Sequence, residues 1–425
     1  MEIYGRYLVA VAVVVILTRW LTRKADPKFG WQLLLPALGA RIIFGTIYGY
    51  FFLQQYGGDD TWMINADSLQ ELHKLISRPG HFFEDIDIFR LVRENGWSDG
   101  LRIFQEKLEW ALLIKPLAIA NLWSQGSYYI NVVFFSGISF WGAFWLYRLV
   151  NSIRPQFSKW TYLVLFLYPP TLFWLSGIRG DALLFFFFSL TLWQFHQWLA
   201  TRRVNNVVGW IIGLVGMLVI RTAFGVMLFP ALIGWWLVVS RYWPTKKAFF
   251  WVYAGAILLF FCSGLLPTVL NGPAKVVERQ GQFFALKGNT RVNLGRLKAD
   301  PVSFLQILPQ AIDNAFWRPY PWEARGMVQY AVVIQNIFLM CLLVVFITRR
   351  YLGRAFLSGA PLFLVLFCFS LSAYLSIGYT IPFPGALVRY RAIPETCLVL
   401  IGGIAAFGGR ISNYNFFNVY KKKVN

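Results

Sequence analysis

Long apolar runs separated by short polar breaks extend from one end of this chain to the other. Runs of about 17 to 23 residues suffice to cross a ~30 Å hydrocarbon core as helices. About eleven such spans are read, near 4–18, 31–53, 128–147, 160–176, 182–199, 205–220, 223–240, 248–269, 328–348, 357–378 and 392–408. Two longer polar stretches interrupt the series. The first, 54–127, holds amphipathic pieces: Leu69, Leu72, Leu75 and Ile76 among polar neighbours, then Leu101, Phe104, Leu108 and Leu112 at three- and four-residue steps. Such helices can lie on a membrane surface. The second, 270–327, is more basic, with Lys275, Arg279, Lys287, Arg291, Arg296 and Lys298, and closes on the run Phe316 to Glu323, whose aromatic and proline residues predict a fixed rim. The pattern predicts an all-α polytopic transmembrane bundle over 1–425, with no internal repeat, low-complexity tract or soluble domain.

Composition agrees with that pattern. At 57% hydrophobic and 14% charged residues, the chain is far from a soluble domain. The net charge of +21 would suit nucleic acid, but the placement of its cations argues for membrane orientation instead. Arg19, Arg23, Lys24 and Lys28, then Arg148, Arg154 and Lys159, then Arg202 and Arg203, then Arg241, Lys246 and Lys247, then Arg349, Arg350 and Arg354 fall in alternate connections. With Arg410 and Lys421 to Lys423 they define a cytoplasmic side, which sets the N-terminus outside, the C-terminus inside, and both long loops outside. The first span lacks a small-residue cleavage site and reads as a retained helix. Cys262, Cys341, Cys368 and Cys397 have no metal-ligand spacing and read as packing residues, as does His196.

The candidate chemistry lies on the outer side. The run Tyr56-Gly57-Gly58-Asp59-Asp60-Thr61 sets two carboxylates beside an apolar span. Arg179 and Asp181 arrive from the hinge Ser176 to Asp181, Arg221 from Ile220-Arg221-Thr222, Arg318 from the second loop, and Arg389 and Arg391 just before the last span. Arginines on an outer face run against the positive-inside bias. A phosphorylated ligand accounts for them, because a guanidinium fork matches phosphate. Asp59 or Asp60 would then serve as general base, or the pair would hold a divalent cation such as Mg2+ or Mn2+. Plainer readings stand beside these. An Asp after two glycines can be a helix N-cap, Arg179 and Asp181 can pair with each other, Arg221, Arg389 and Arg391 can reach lipid headgroups, and Glu84, Asp85 and Asp87 can be a solvated face. Trp62, Trp97 and Trp317 could stack on sugar rings, with packing as the plainer reading.

These residues resemble those of the C-type (GT-C) membrane glycosyltransferases, which use polyprenyl-phosphate or polyprenyl-diphosphate sugars. The resemblance rests on Asp59-Asp60 in a long first outer loop, on Gly177-Ile178-Arg179-Gly180-Asp181, and on Arg389-Tyr390-Arg391 with Pro394. The run Arg318 to Glu323 is similar to a segment of bacterial polysaccharide-cluster membrane proteins. The resemblance implies inverting transfer on the outer face of the cytoplasmic membrane, with Asp59 or Asp60 as base and Arg391 or Arg389 at the donor phosphate. The chain departs from the class in its extra span before the acidic loop, and in Arg179 and Asp181 where lysine and glutamate are common.

The function expected is sugar transfer from a polyprenyl-linked donor to a glycan or lipid acceptor in cell-surface or exopolysaccharide synthesis, beside other polysaccharide-synthesis proteins and without nucleic acid. A polysaccharide polymerase and a flippase of lipid-linked glycan are the alternatives. A transporter would place charges at mid-membrane and show repeat symmetry, and a scaffold protein would tolerate loss of both aspartates.

Overall fold

The computed structural model describes residues 2–267, 270–286, 291–348 and 361–407. Lys287, Arg349, Arg350, Arg354, Arg410 and Lys421 to Lys423 lie outside these. The described residues contain helices and no strand.

The chain opens with α1 (Glu2–Ala25) and α2 (Trp31–Tyr56). Gly57 ends α2 in the left-handed region at φ 72° and returns its amide to the Leu53 carbonyl, a conformation that glycine adopts without steric cost. Asp59 then caps α3 (Asp60–Ser77), and Asp87 caps α4 (Ile88–Ser124), which kinks at Gly96. The amphipathic pieces expected in the first loop lie within α3 and α4. After α5 (Tyr128–Ile153) come α6 (Ser158–Tyr162), a π-turn over 163–167, α7 (Pro169–Leu175) and α8 (Gly180–Thr201). Proline starts α7 because the first turn leaves its amides unused anyway. The axes of α7 and α8 then differ by 113°.

α9 (Val204–Ser240) has non-helical backbone angles at Arg221. Straight, its 37 residues would hold their ends about 55 Å apart. Arg202, just before α9, instead donates to the Ser240 hydroxyl at its far end, at 2.5 Å. The stretch therefore turns back at Arg221, close to the break expected between 205–220 and 223–240. α10 (Thr245–Cys262), α11 (Gly272–Ala285), α12 (Pro301–Phe316), α13 (Met327–Thr348), α14 (Pro361–Thr380) and α15 (Pro384–Phe407) complete the chain.

Among the described residues, seven helices are long and apolar enough to cross a membrane, or eight if α7 and α8 form one broken span. The chain has the character of a membrane protein. The number falls below the expected eleven for local reasons. The expected spans 205–220 and 223–240 are both contained in α9, which is counted once although it turns back at Arg221, the 160–176 segment is divided by its π-turn and prolines, and α15 carries Arg389, Arg391 and Glu395.

The chain forms two compact units. The first comprises Met1–Ser152, Leu165–Gln194 and Val207–Thr222. Its core includes an aromatic cluster in which Phe29 meets the ring edges of Phe144 at 5.1 Å and Tyr147 at 5.4 Å, with Phe140 and Phe166 around it. The second comprises Ile153–Val164, Phe195–Asn206 and Ala223–Asn425. There Phe304, Ile307 and Ala311 of α12 pack with Tyr379 and the extended strip holding Leu294 and Leu297. Asn314 fixes α12 to α14 by donating to the carbonyls of Gly378 and Ile381, at 3.1 and 2.8 Å.

Candidate functional site

One face of α2 builds most of the site in the first unit. Gly45 lies against Gly177 so closely that a Cβ on Gly45 would stand 3.0 Å from the Gly177 amide nitrogen. One turn on, the Tyr48 hydroxyl donates to Asp59 Oδ2 at 2.8 Å. The other Asp59 oxygen accepts from the Thr61 amide at 3.1 Å and from Thr61 Oγ1 at 2.7 Å. The Tyr128 hydroxyl lies 3.0 Å from Thr61 Oγ1. Asp59 is thus the helix cap, held by three donors on two elements. Asp60 stands in the first turn of α3, partly buried.

The Tyr48 ring also carries Arg179. The guanidinium carbon is 4.0 Å from the centre of that ring and 5.4 Å from that of Trp174, and the side chain is 0% exposed. None of its three nitrogens has a hydrogen-bond acceptor among the described residues. Asp181 is 4.0 Å away and pairs instead with Arg221, at 3.1 Å. The expected pairing of Arg179 with Asp181 is therefore weak, and the turn of α9 supplies the closer partner of Asp181. A buried guanidinium facing aromatic rings without acceptors carries a large desolvation cost. It also lies at the start of α8, where helix amides favour an anion. Asp59, Arg179, Asp181 and Arg221 form one constellation in which Arg179 retains the capacity to grip an oxyanion.

The remaining candidates belong to the second unit and are engaged by protein groups. Arg391 is buried; it faces Glu395 at 3.2 Å and donates to the Asn336 side chain and to the carbonyls of Ala315 and Arg318. Arg318 lies 2.6 Å from Glu323 and 3.2 Å from Asp313. Tyr320 donates to Asp313, which pushes its phenol pKa above the ordinary value, and stacks on Trp322 at 4.7 Å. This network makes the rim expected at 316–323 a fixed one. Arg389 is partly buried on the second turn of α15.

The acidic group of the first loop divides its work. Glu84 remains exposed, and its bond to His81 holds its carboxyl below the usual range. Asp87 is the α4 cap, whereas Asp85 reaches the buried Lys115. Trp62 packs flat on Tyr128 at 3.9 Å, while Trp97 and Trp317 are exposed. His196 stacks on Trp235, and all four cysteines are free thiols. Sequence reasoning missed Tyr48 and Lys115, because neither belongs to a charged pair or motif along the chain.

Among the described residues no three His, Cys, Asp or Glu side chains group as metal ligands. Asp59 already commits both oxygens to hydroxyl and amide donors. These donors do not fit a cation held by the protein alone. No protein-family model matches the chain, and no curated protein or solved structure is significantly similar to it.

Proposed function

We propose that this chain is an inverting membrane glycosyltransferase. It moves a sugar from a polyprenyl-(di)phosphate carrier to a glycan or lipid acceptor on the outer face of a bacterial cytoplasmic membrane, in cell-surface or exopolysaccharide synthesis. The observation that carries this reading is Arg179, a fully buried guanidinium without hydrogen-bond acceptors among the described residues, joined through Tyr48 to the paired aspartates of the first loop. In this reading Arg179 grips the donor phosphate, and Asp60 is the base because Asp59 serves as the cap. The acceptor hydroxyl loses its proton to Asp60 as its oxygen bonds to the anomeric carbon. The anomeric carbon–phosphate oxygen bond breaks, its electron pair leaves with the phosphate, and Arg179 stabilises the charge that grows there. Arg221 neutralises Asp181 and so keeps that carboxylate from competing for Arg179.

The test is lipid-linked intermediate and polymer output in a strain lacking the gene, complemented with Asp59→Asn, Asp60→Asn or Arg179→Gln, with membrane levels matched. Asp60→Asn and Arg179→Gln should each lower output by about 100-fold or more and accumulate the lipid-linked donor. Normal output from Asp60→Asn with loss only in Arg179→Gln would instead identify a polymerase or flippase that binds the lipid phosphate without this base.

A further inference from the structure

Arg41 is 0% exposed and lies on α2, about 15 Å along the axis from its start at 1.5 Å per residue. It forms no ion pair among the described residues, a costly state for a cation inside an apolar helix. Its donors go to the broken segment that carries Arg179. One nitrogen donates to the Leu165 carbonyl in the π-turn, at 2.7 Å. The other donates to Ser139 Oγ, and Ser139 in turn donates to the Leu175 carbonyl. Leu175 is the last residue of α7, directly before the extended Ser176. A carbonyl at a helix end has no partner within its own helix, and lipid supplies none. Arg41 thus satisfies the π-turn carbonyl directly and orients Ser139, whose hydroxyl satisfies the end of α7.

The same face of α2 continues toward Arg179. Gly45 follows at i+4 and admits Gly177, which takes φ 77°. Tyr48 follows at i+7 and lies under the Arg179 guanidinium. Residues at these spacings share one helix face, so a single rigid stripe sets both ends of the bend between α7 and α8.

We propose that Arg41 is a positioning residue: acting through Ser139 and the carbonyls of Leu165 and Leu175, it fixes the bend that aims Arg179, and it does not itself touch substrate. The inference rests on the reading of Arg179 as the phosphate ligand. A lysine at this position brings a single nitrogen on a flexible stem and lacks the planar fork whose two nitrogens hold Ser139 and the Leu165 carbonyl at fixed positions.

The test uses the full chain in phosphatidylcholine nanodiscs, with Arg41→Lys and Ser139→Ala as variants that keep polarity or volume. Without ligand, hydrogen exchange at the amides of 176–183 should rise about tenfold in both while exchange in the interior of α5 stays unchanged. With undecaprenyl phosphate as probe, Arg41→Lys should weaken binding about tenfold, and should cause no further loss in an Arg179→Gln background, as expected for residues acting through one element. Unchanged exchange at 176–183 in both variants overturns the positioning role, as do losses that simply add in the double variant. Raised exchange in a protein whose wild type binds no undecaprenyl phosphate upholds the role of Arg41 and sinks the phosphate-carrier reading alone.

Discussion

The ammonium of Lys115, 4% exposed, donates to Glu71 at 3.0 Å, to Asp85 at 2.9 Å and to the Phe82 carbonyl. Such a group is stable only with its partners, and removing one member strands the others. Lys115→Met should therefore destabilise the first unit by about 3 kcal/mol, seen as a lower midpoint for thermal inactivation in detergent. Adding Glu71→Leu should recover part of the loss, because it removes the buried carboxylate while the more exposed Asp85 can reach water. Tyr320 makes a different kind of prediction. Its hydrogen bond to Asp313 raises its pKa from 10.0 in the folded state, so the proton is held more tightly folded than unfolded. The resulting stability is complete below pH 10 and is lost as pH rises through the raised value. Proteolysis of the 317–326 segment should accelerate above that pH, and Tyr320→Phe should remove the pH dependence.

At the scale of elements, breaks in helices place the chemistry. The turn of α9 brings Arg221 to Asp181, the bend between α7 and α8 sets a helix start beside the buried Arg179, and the left-handed Gly57 releases the chain so that Asp59 can cap α3. α2 is the unbroken reference against which these are set. A Cβ added at Gly49 would stand 2.2 Å from the Tyr128 ring, and that ring is clamped by its stack on Trp62 and its contact with Thr61. Gly49→Ala should consequently cost about 1–3 kcal/mol by overpacking. It should also shift α5 away from α2, measurable as a longer distance between spin labels on the two helices. An unchanged distance and stability would mean that Tyr128 is free to move.

For the whole molecule, the Arg202 to Ser240 bond gathers Arg202, Arg203 and Arg241 within the second unit. A group so rich in cations predicts a cytoplasmic position for these three residues. In a chain whose four cysteines are replaced, Arg203→Cys and Tyr242→Cys should react with an impermeant thiol reagent only from the cytoplasmic side. Trp97→Cys should react only from outside. Labelling from the opposite sides would invert the orientation and place Arg179 and Asp60 away from an outer-face donor.

The helical, membrane-spanning character of the chain was legible in the sequence alone, because a span requires only a sufficient length of apolar residues and that is a local property. The caps were nearly as plain: Asp59 after two glycines and Asp87 before an amphipathic run carry their own chemistry with them. The arginines were visible as a set, but their roles were not. Arg391 is surrounded by Glu395, Asn336 and two carbonyls, Arg221 is taken up by Asp181, and Arg179 is left facing aromatic rings. Those partners lie up to 76 residues away along the chain. Whether a charge is neutralised or kept available depends on which distant elements pack against it, and no local pattern records that. Tertiary structure alone therefore separated the arginines taken up by protein groups from Arg179, whose nitrogens have no acceptor among the described residues.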